Sequence, residues 1–395
     1  MTDRREAASN RNRLREVAIL FLKLGLIAFG GPAAHIALMR QEVVERRRWL
    51  NEQQFLDLLG ASNLIPGPTS TELAIYLGYT RAGAAGLLLA GVLFILPAML
   101  LVLAFAWAYT EYGATPQAGA LLYGIKPVII AVIVQAIYSL LRTAIQTWLL
   151  GIVAALTVIL YFAGLNPLVP LFGLAILVTL IENRRRLAIW GTRRGPMQSA
   201  VLLPVLAFAQ AAPAAPDGSR LVALFLNFLK IGATLYGSGY VLLAFLRDDF
   251  VNRLGWLTDQ QLLDSIAVGQ FTPGPVFTTA TFVGYLVGSW PGAVVATIGI
   301  FLPSFVFVAI VFPFVPRLRA STWTSAFLDG ANAAAVGLMG SVTWQLGTSS
   351  IVDPLTAGLA VVAAVLLIRF RVNSAWLVLG GSLVGLAARV ARVGA

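Results

Sequence analysis

The sequence predicts an all-α polytopic membrane protein made of two inverted-topology homologous repeats with broken helices, about 13 transmembrane segments in all. Three observations predict it. The chain of 395 residues is 58% hydrophobic and 11% charged, more apolar surface than a soluble core uses, and long apolar runs recur along it. The stretch from Phe21 is repeated from Phe228, an offset of 207. And two of the apolar runs carry a helix breaker at their centre: LIPGPTSTE (Leu64 to Glu72) and FTPGPVFTT (Phe271 to Thr279).

Taken in order, residues 1–15 form a basic cytoplasmic tail, followed by an apolar stretch with no small-residue cleavage site, which reads as a retained first span. The first repeat covers 16–183, with apolar segments near 16–39, 55–79, 83–110, 117–140, 146–164 and 166–181. Residues 184–220 link the repeats through one short apolar crossing, Met197 to Ala212, and 221–395 form the second repeat. FLKLGLIAFGGP aligns with FLKIGATLYGSG, WLNEQQFLD with WLTDQQLLD, and the two PGP motifs with each other. One residue then drops out, and Gly78, Pro97 and Gly124 align with Gly284, Pro303 and Gly330 at an offset of 206.

An odd connecting crossing starts the second repeat on the opposite side from the first. With a cytoplasmic N-terminus, Arg81, Arg142, Arg184, Arg185, Arg186, Arg317, Arg319, Arg369 and Arg371 all fall inside, as the positive-inside rule requires. PAAPDGS, after the connecting crossing, falls outside. One loop disagrees: Arg40 to Gln54 is expected outside yet carries Arg46, Arg47 and Arg48, offset in part by Glu42, Glu45 and Glu52.

Proline lacks an N–H and clashes with the preceding turn, so Pro66, Gly67 and Pro68, like Pro273, Gly274 and Pro275, should split their segments into half-helices. Such a break survives in hydrocarbon only when buried in protein or lining a wet cavity. A half-helix starting there presents unpaired N–H groups and about half a positive charge, which suits an anion. Thr69, Ser70 and Thr71, and Thr278 and Thr279, add hydroxyls, while Asn63 and Gln270 stand just before the breaks. The alternative is that each PGP is a structural kink only. Gly30, Gly31 and Pro32 align with the segment Gly237 to Gly239 as a second pair of breaks, or as close-packing points between helices.

Ionisable groups within spans are functional candidates. Lys126, aligned with the neutral Asn332, is expected to face a polar cavity and balance an anionic charge. Glu72, opposite Thr279, is a proton-coupling candidate or the partner of Lys126 or Lys23 in a salt bridge. Lys23 and Lys230 read as snorkelling to the interface. Asp57 and Asp264 read as caps or partners of the preceding arginines. Arg40, Arg46, Arg247 and Arg253 either funnel anions or anchor at the interface.

The formal charge of +11 sits mainly in short connectors, as for cytoplasmic loops beside a lipid bilayer, and not in a nucleic-acid-binding patch. Cysteine is absent, which excludes disulfides and thiol chemistry, and His35 is the only histidine, so no metal site is expected. With no HExxH, no nucleophile elbow and no paired histidine and carboxylate, the chain does not read as an enzyme, and no cofactor is expected.

FGGPAAHIALMR (Phe29 to Arg40), NLIPGPTSTELAIYLGYTRAG (Asn63 to Gly83) and GQFTPGPVFTTATFVGY (Gly269 to Tyr285) resemble the chromate ion transporters in their long, two-domain form. The resemblance implies a multi-pass protein of the bacterial inner membrane that exports chromate and confers chromate resistance, with sulfate or another oxyanion as the alternative substrate. The commonest first motif of that family has glutamine where Asn63 stands. Independently of the resemblance, a potential of 100 mV, negative inside, drives a dianion outward with about 4.6 kcal/mol, so export is electrically downhill.

Overall fold

A computed structural model describes residues 2–29, 31–113, 115–184, 220–236, 239–311 and 321–393, and among these there are 14 α-helices and no strand. Gly30, Gly237, Arg185, Arg186, Arg317, Arg319, the crossing Met197 to Ala212 and PAAPDGS lie outside the described residues.

Each repeat opens with two hairpins. In the first, α1 (Thr2–Ile27) turns back into α2 (Gly31–Arg40), which a π-helical turn, Gln41–Arg46, extends. The return is tied by Lys23 Nζ to Glu42 Oε1 at 2.8 Å and by His35 Nε2 to the Ala28 carbonyl at 3.0 Å. The second hairpin joins α3 (Glu52–Ser62) to the first arm of α4 (Thr69–Tyr112) across the PGP turn. A capping box starts α3: Asn51 accepts from the Gln54 N–H, and the Gln54 side chain accepts from the Asn51 N–H.

α4 is not one rod. At Ala82 (φ −144°, ψ 25°) and Gly83 (φ 63°, ψ −153°) the chain reverses, separating the arms 69–81 and 84–112. A Cβ on Gly86 would lie 2.2 Å from the Gly78 carbonyl oxygen, and one on Gly91 would lie 2.9 Å from Ile75 Cγ1. In a straight helix these pairs would be about 12 and 24 Å apart. The second repeat reverses at the aligned pair Gly288 and Ser289 within α11 (Thr279–Val311), and Gly284 meets Gly292 in the same way.

These reversals overturn the path expected for the broken segments. Arg81, at the end of the first arm of α4, stacks 5.1 Å from the Trp49 ring, just before α3, and bonds Glu16 in α1 at 2.6 Å. Two half-helices laid end to end across a membrane would hold Trp49 and Arg81 roughly 35 Å apart. The segments 16–39 and 55–79 therefore double back at their breaks instead of running straight on, each forming a hairpin of two short arms. The second repeat follows suit with α8 (Arg220–Thr234), α9 (Leu242–Leu246) with its π-turn Arg247–Arg253, and α10 (Asp259–Phe271). Arg220 stacks on Trp256 at 5.5 Å, and a Cβ on Gly288 would lie 2.9 Å from Leu221.

After the hairpins come the second arm of α4, α5 (Pro116–Ala144), α6 (Trp148–Phe162) and α7 (Leu168–Glu182). Their counterparts are 290–311 of α11, α12 (Thr322–Ser350), α13 (Pro354–Phe370) and α14 (Ser374–Val393). Among the described residues, four helices are long and apolar enough to cross a membrane: α4, α5, the stretch Val276–Val311 and Ser374–Ala391. Exposed Leu, Val, Ile, Phe and Trp side chains cover their outer faces, as lipid contact demands. The chain is an all-α membrane protein.

The long arms 84–112 and 290–311 pack antiparallel. Gly91 receives the ring of Phe305, Leu87 clusters with Val308, and Val102 and Ala106 cluster with Ala293 at the other end. Beyond them the repeats exchange helices: α5 packs against α13 and α14, and α12 against α6 and α7. A Cβ on Gly124 would lie 1.9 Å from the Gly381 carbonyl, and the aligned Gly330 meets Ala175, aligned in turn with Gly381.

Candidate oxyanion site at the re-entrant tips

The four hairpin tips converge. The Gly67 N–H donates to the Leu235 carbonyl at 2.8 Å, and the Gly274 N–H donates to the Ala28 carbonyl at 2.9 Å. Since Gly67 aligns with Gly274 and Ala28 with Leu235, each PGP tip is held by the first hairpin of the other repeat, through one contact made twice. Both glycines have positive φ, +136° and +92°, which an L side chain rarely adopts. Pro66, Pro68, Pro273 and Pro275 are buried, and so is every residue from Ser70 to Gly78. The broken backbone is thus enclosed by protein, the condition under which it survives at membrane depth.

Pro68 is the N-cap of α4 and makes no side-chain cap bond; the Thr71 N–H donates to the Pro68 carbonyl at 2.8 Å, which leaves the N–H groups of Thr69 and Ser70 as the donors of the first turn. Thr69 is half-buried, Asn63 exposed and Gln270 half-buried. Ser70 and Thr71 are buried; Ser70 Oγ lies 3.2 Å from His35 Nδ1, linking the two hairpins of the first repeat. In the second repeat Thr278 and Thr279 donate at 2.8 Å to the carbonyls of Pro275 and Val276, within their own turn. The two tips therefore differ: hydroxyls are directed across elements in the first and inward in the second.

Glu72 is fully buried, and Oε1 accepts from Ser304 Oγ of the opposite repeat at 3.4 Å. It pairs with neither Lys126 nor Lys23, which corrects the salt-bridge alternative for this residue. Ser304 had a faint sequence signal, a hydroxyl where the aligned residue is Ala98.

Lys126 and Asp264, from different repeats, are brought together: Nζ lies 3.4 Å from Asp264 Oδ1, while Tyr109 donates to Oδ2 at 2.9 Å. Asp264 is thus not the partner of the preceding arginines. Its aligned residue Asp57 accepts from Gln53 at 3.2 Å.

The remaining charges form symmetric clusters that the sequence reading missed. Lys23 Nζ bonds Glu42 at 2.8 Å, with Arg46 and Arg47 on the same carboxylate. The aligned Lys230 bonds Asp249 at 2.6 Å, with Arg253 beside it. Both lysines are ion-paired; Lys230 is buried, so snorkelling to the interface does not describe it, whereas the Lys23 side chain is 43% exposed. Arg40 forks onto Glu52 at 2.8 Å for each nitrogen, and Arg247 forks onto Asp259 at 2.8 and 3.0 Å. At the exposed first pair the Arg40 hydrogen bond holds the Glu52 carboxyl below its usual range. The signal was present: an acid 19 residues after the lysine and four before the arginine, in both copies. All four arginines are engaged with carboxylates, the arrangement of anchors; Gly31 and Pro32 sit half-buried at the first tip, and Gly239 is buried beside Phe277.

Paired hairpins meeting in a buried centre, beside helices long and apolar enough to cross a membrane, define an integral membrane protein. The family model of the chromate transporters matches residues 15–180 and again 222–386, so the chain belongs to the chromate transporter family, whose members are transport proteins and not enzymes. It is 34% identical to a chromate transport protein of Cupriavidus metallidurans, over 95% of this chain and 93% of the relative. It is 34% identical to a probable chromate transport protein of Synechococcus elongatus, over 86% of each chain. With a chromate transport protein of Pseudomonas aeruginosa the identity is 35%, over 87% of this chain and 84% of the relative. No solved structure matches the chain.

Proposed function

We propose that this protein is a secondary transporter that exports chromate from the cytoplasm across the bacterial inner membrane, and so confers chromate resistance. The oxyanion is held near mid-membrane at the PGP tips, by the N–H groups of Thr69 and Ser70 and the hydroxyls of Thr69, Ser70 and Thr71, while the Lys126 ammonium is balanced by Asp264. The observation that carries the reading is the reciprocal bonding of Gly67 to Leu235 and of Gly274 to Ala28, which sets two helix-starting turns around one buried centre.

In this reading the repeats insert with opposite polarity, the N-terminus being cytoplasmic. The antiparallel packing of 84–112 against 290–311 supports it. So do contacts among loops and helix ends assigned to one face: Asn166 with Asp248, Tyr123 with Asp353, and Arg247 and Tyr161 with Gln345. Thr322 with Asn183 does the same for the other face. The re-entrant path returns Arg46, Arg47 and Arg48 to the cytoplasmic side, so the one loop at odds with the positive-inside rule falls into line.

Everted membrane vesicles, whose cytoplasmic face is outward, are expected to accumulate chromate when they contain the folded protein. Absence of flux above control vesicles would remove the reading. Excess sulfate in the same assay separates a chromate transporter from a general carrier of tetrahedral dianions.

A further inference from the structure

Side chains on a helix lean toward its N-terminus, and Glu72, in the first turns of α4, folds back over the PGP turn. A Cβ on Gly67 would lie 2.2 Å from Glu72 Oε1 and 2.6 Å from Ser304 Oγ, so the carboxylate occupies the space above the turn. Oε2 is buried without a hydrogen-bond partner among the described residues, and so is the neighbouring Thr71 Oγ1. Two unpartnered polar atoms at a helix start mark a place built for a ligand that is donated to there, or for a proton.

No described lysine or arginine bridges Glu72. The groups facing it are Ser304 from α11, Tyr236 from the first hairpin of the second repeat and Tyr76 one turn along α4. His35 of α2 is committed to Ser70 and Ala28. On the other elements packed against α4, Lys23 is held by Glu42, Glu52 by Arg40, Asp57 by Gln53, and Asp264 by Lys126 and Tyr109.

We propose that Glu72 is a tethered occupant of the oxyanion site: its carboxylate fills the anion's place in the empty protein and yields it, protonated, when the oxyanion binds. The inference rests on the reading of the PGP tips as that site. On binding, the carboxylate takes one proton from the side to which the site is open and becomes a neutral acid. On release the proton returns to water and the carboxylate closes over Gly67 again. One proton then travels with each oxyanion, and export of the dianion still carries a net negative charge outward.

Chromate binding to the purified full chain, wild type and Glu72→Gln, measured between pH 6.5 and 8.5 tests this, because the protonation of chromate itself is common to both. The wild-type affinity is expected to fall relative to the variant by about tenfold per pH unit once Glu72 is ionised in the empty site. Binding in weakly buffered solution should take up one proton more in the wild type than in Glu72→Gln, a readout that also registers on wild type alone. Identical pH profiles and equal proton uptake in two folded proteins overturn the proposal. Wild type that binds no chromate at any pH overturns instead the assignment of the site, and this proposal with it.

Discussion

At Gly67 the backbone runs through φ +136°, and the carboxylate of Glu72 fills the space a side chain would need. Gly67→Ala therefore meets both backbone strain and a clash, and is expected to destabilise the protein by roughly 1–3 kcal/mol. Gly83 also has positive φ, at φ 63° and ψ −153°, a conformation the aligned Ser289 shares, and nothing lies within 4 Å of its would-be Cβ, so Gly83→Ala should cost the backbone strain alone, at the low end of that range, about 1 kcal/mol. Thermal unfolding of both variants in detergent checks the order; equal losses would mean that Glu72 is not seated over Gly67. The importance of Gly67 and the depth of Glu72 were legible in the PGPTSTE string. The partners of Lys126 and Glu72 were not, because pairing between residues of different repeats depends on how helices are exchanged, which no local pattern encodes.

Among the elements, the hairpins hold the proposed site. A 25-residue apolar run with a central break has the same composition whether it passes through the membrane or turns back, so hydropathy alone does not decide its path. The deciding signal lay in its flank: Arg46, Arg47 and Arg48 violate the positive-inside rule only if the first segment crosses. The absence of cysteine permits a direct check. Single cysteines at the exposed positions Arg48 and Ala84 should both react with an impermeant maleimide from one face of the membrane, and one at the exposed Tyr112 from the other. Labelling of Arg48→Cys and Ala84→Cys from opposite faces would restore the crossing path. The reversal at Ala82 and Gly83 was hidden for a similar reason: Ala-Gly inside an apolar run reads as a tolerated glycine. Its recurrence as Gly288 and Ser289, a serine at φ +52°, marks it as part of the repeat.

For the molecule as a whole, duplication was evident from the offsets of 207 and 206, but two tandem units and two interlocked ones share those offsets. The described residues form an interlocked pair. α5 of the first repeat is enclosed by α13 and α14 of the second, α12 of the second by α6 and α7 of the first, and the tips bond crosswise. Little hydrophobic force holds helices together in lipid, so their association rests on close packing of small residues and on polar contacts. Here the close approach is concentrated at Gly124 against Gly381 and Gly330 against Ala175. Neither half can then bury its small-residue faces alone, yet the two should assemble when supplied together. Residues 1–196 and 197–395 expressed as separate chains are expected to co-purify from the membrane, whereas each alone should be lost to degradation. Gly124→Leu would push a branched side chain into the Gly381 backbone, 1.9 Å from even a Cβ, and should abolish co-purification. Leu substituted at Gly119, where nothing lies within 4 Å, should leave it intact. If the halves are stable apart, or if Gly124→Leu still assembles, the exchange of helices is not what joins the repeats, and the crosswise bonds at the tips would have to hold the two units by themselves.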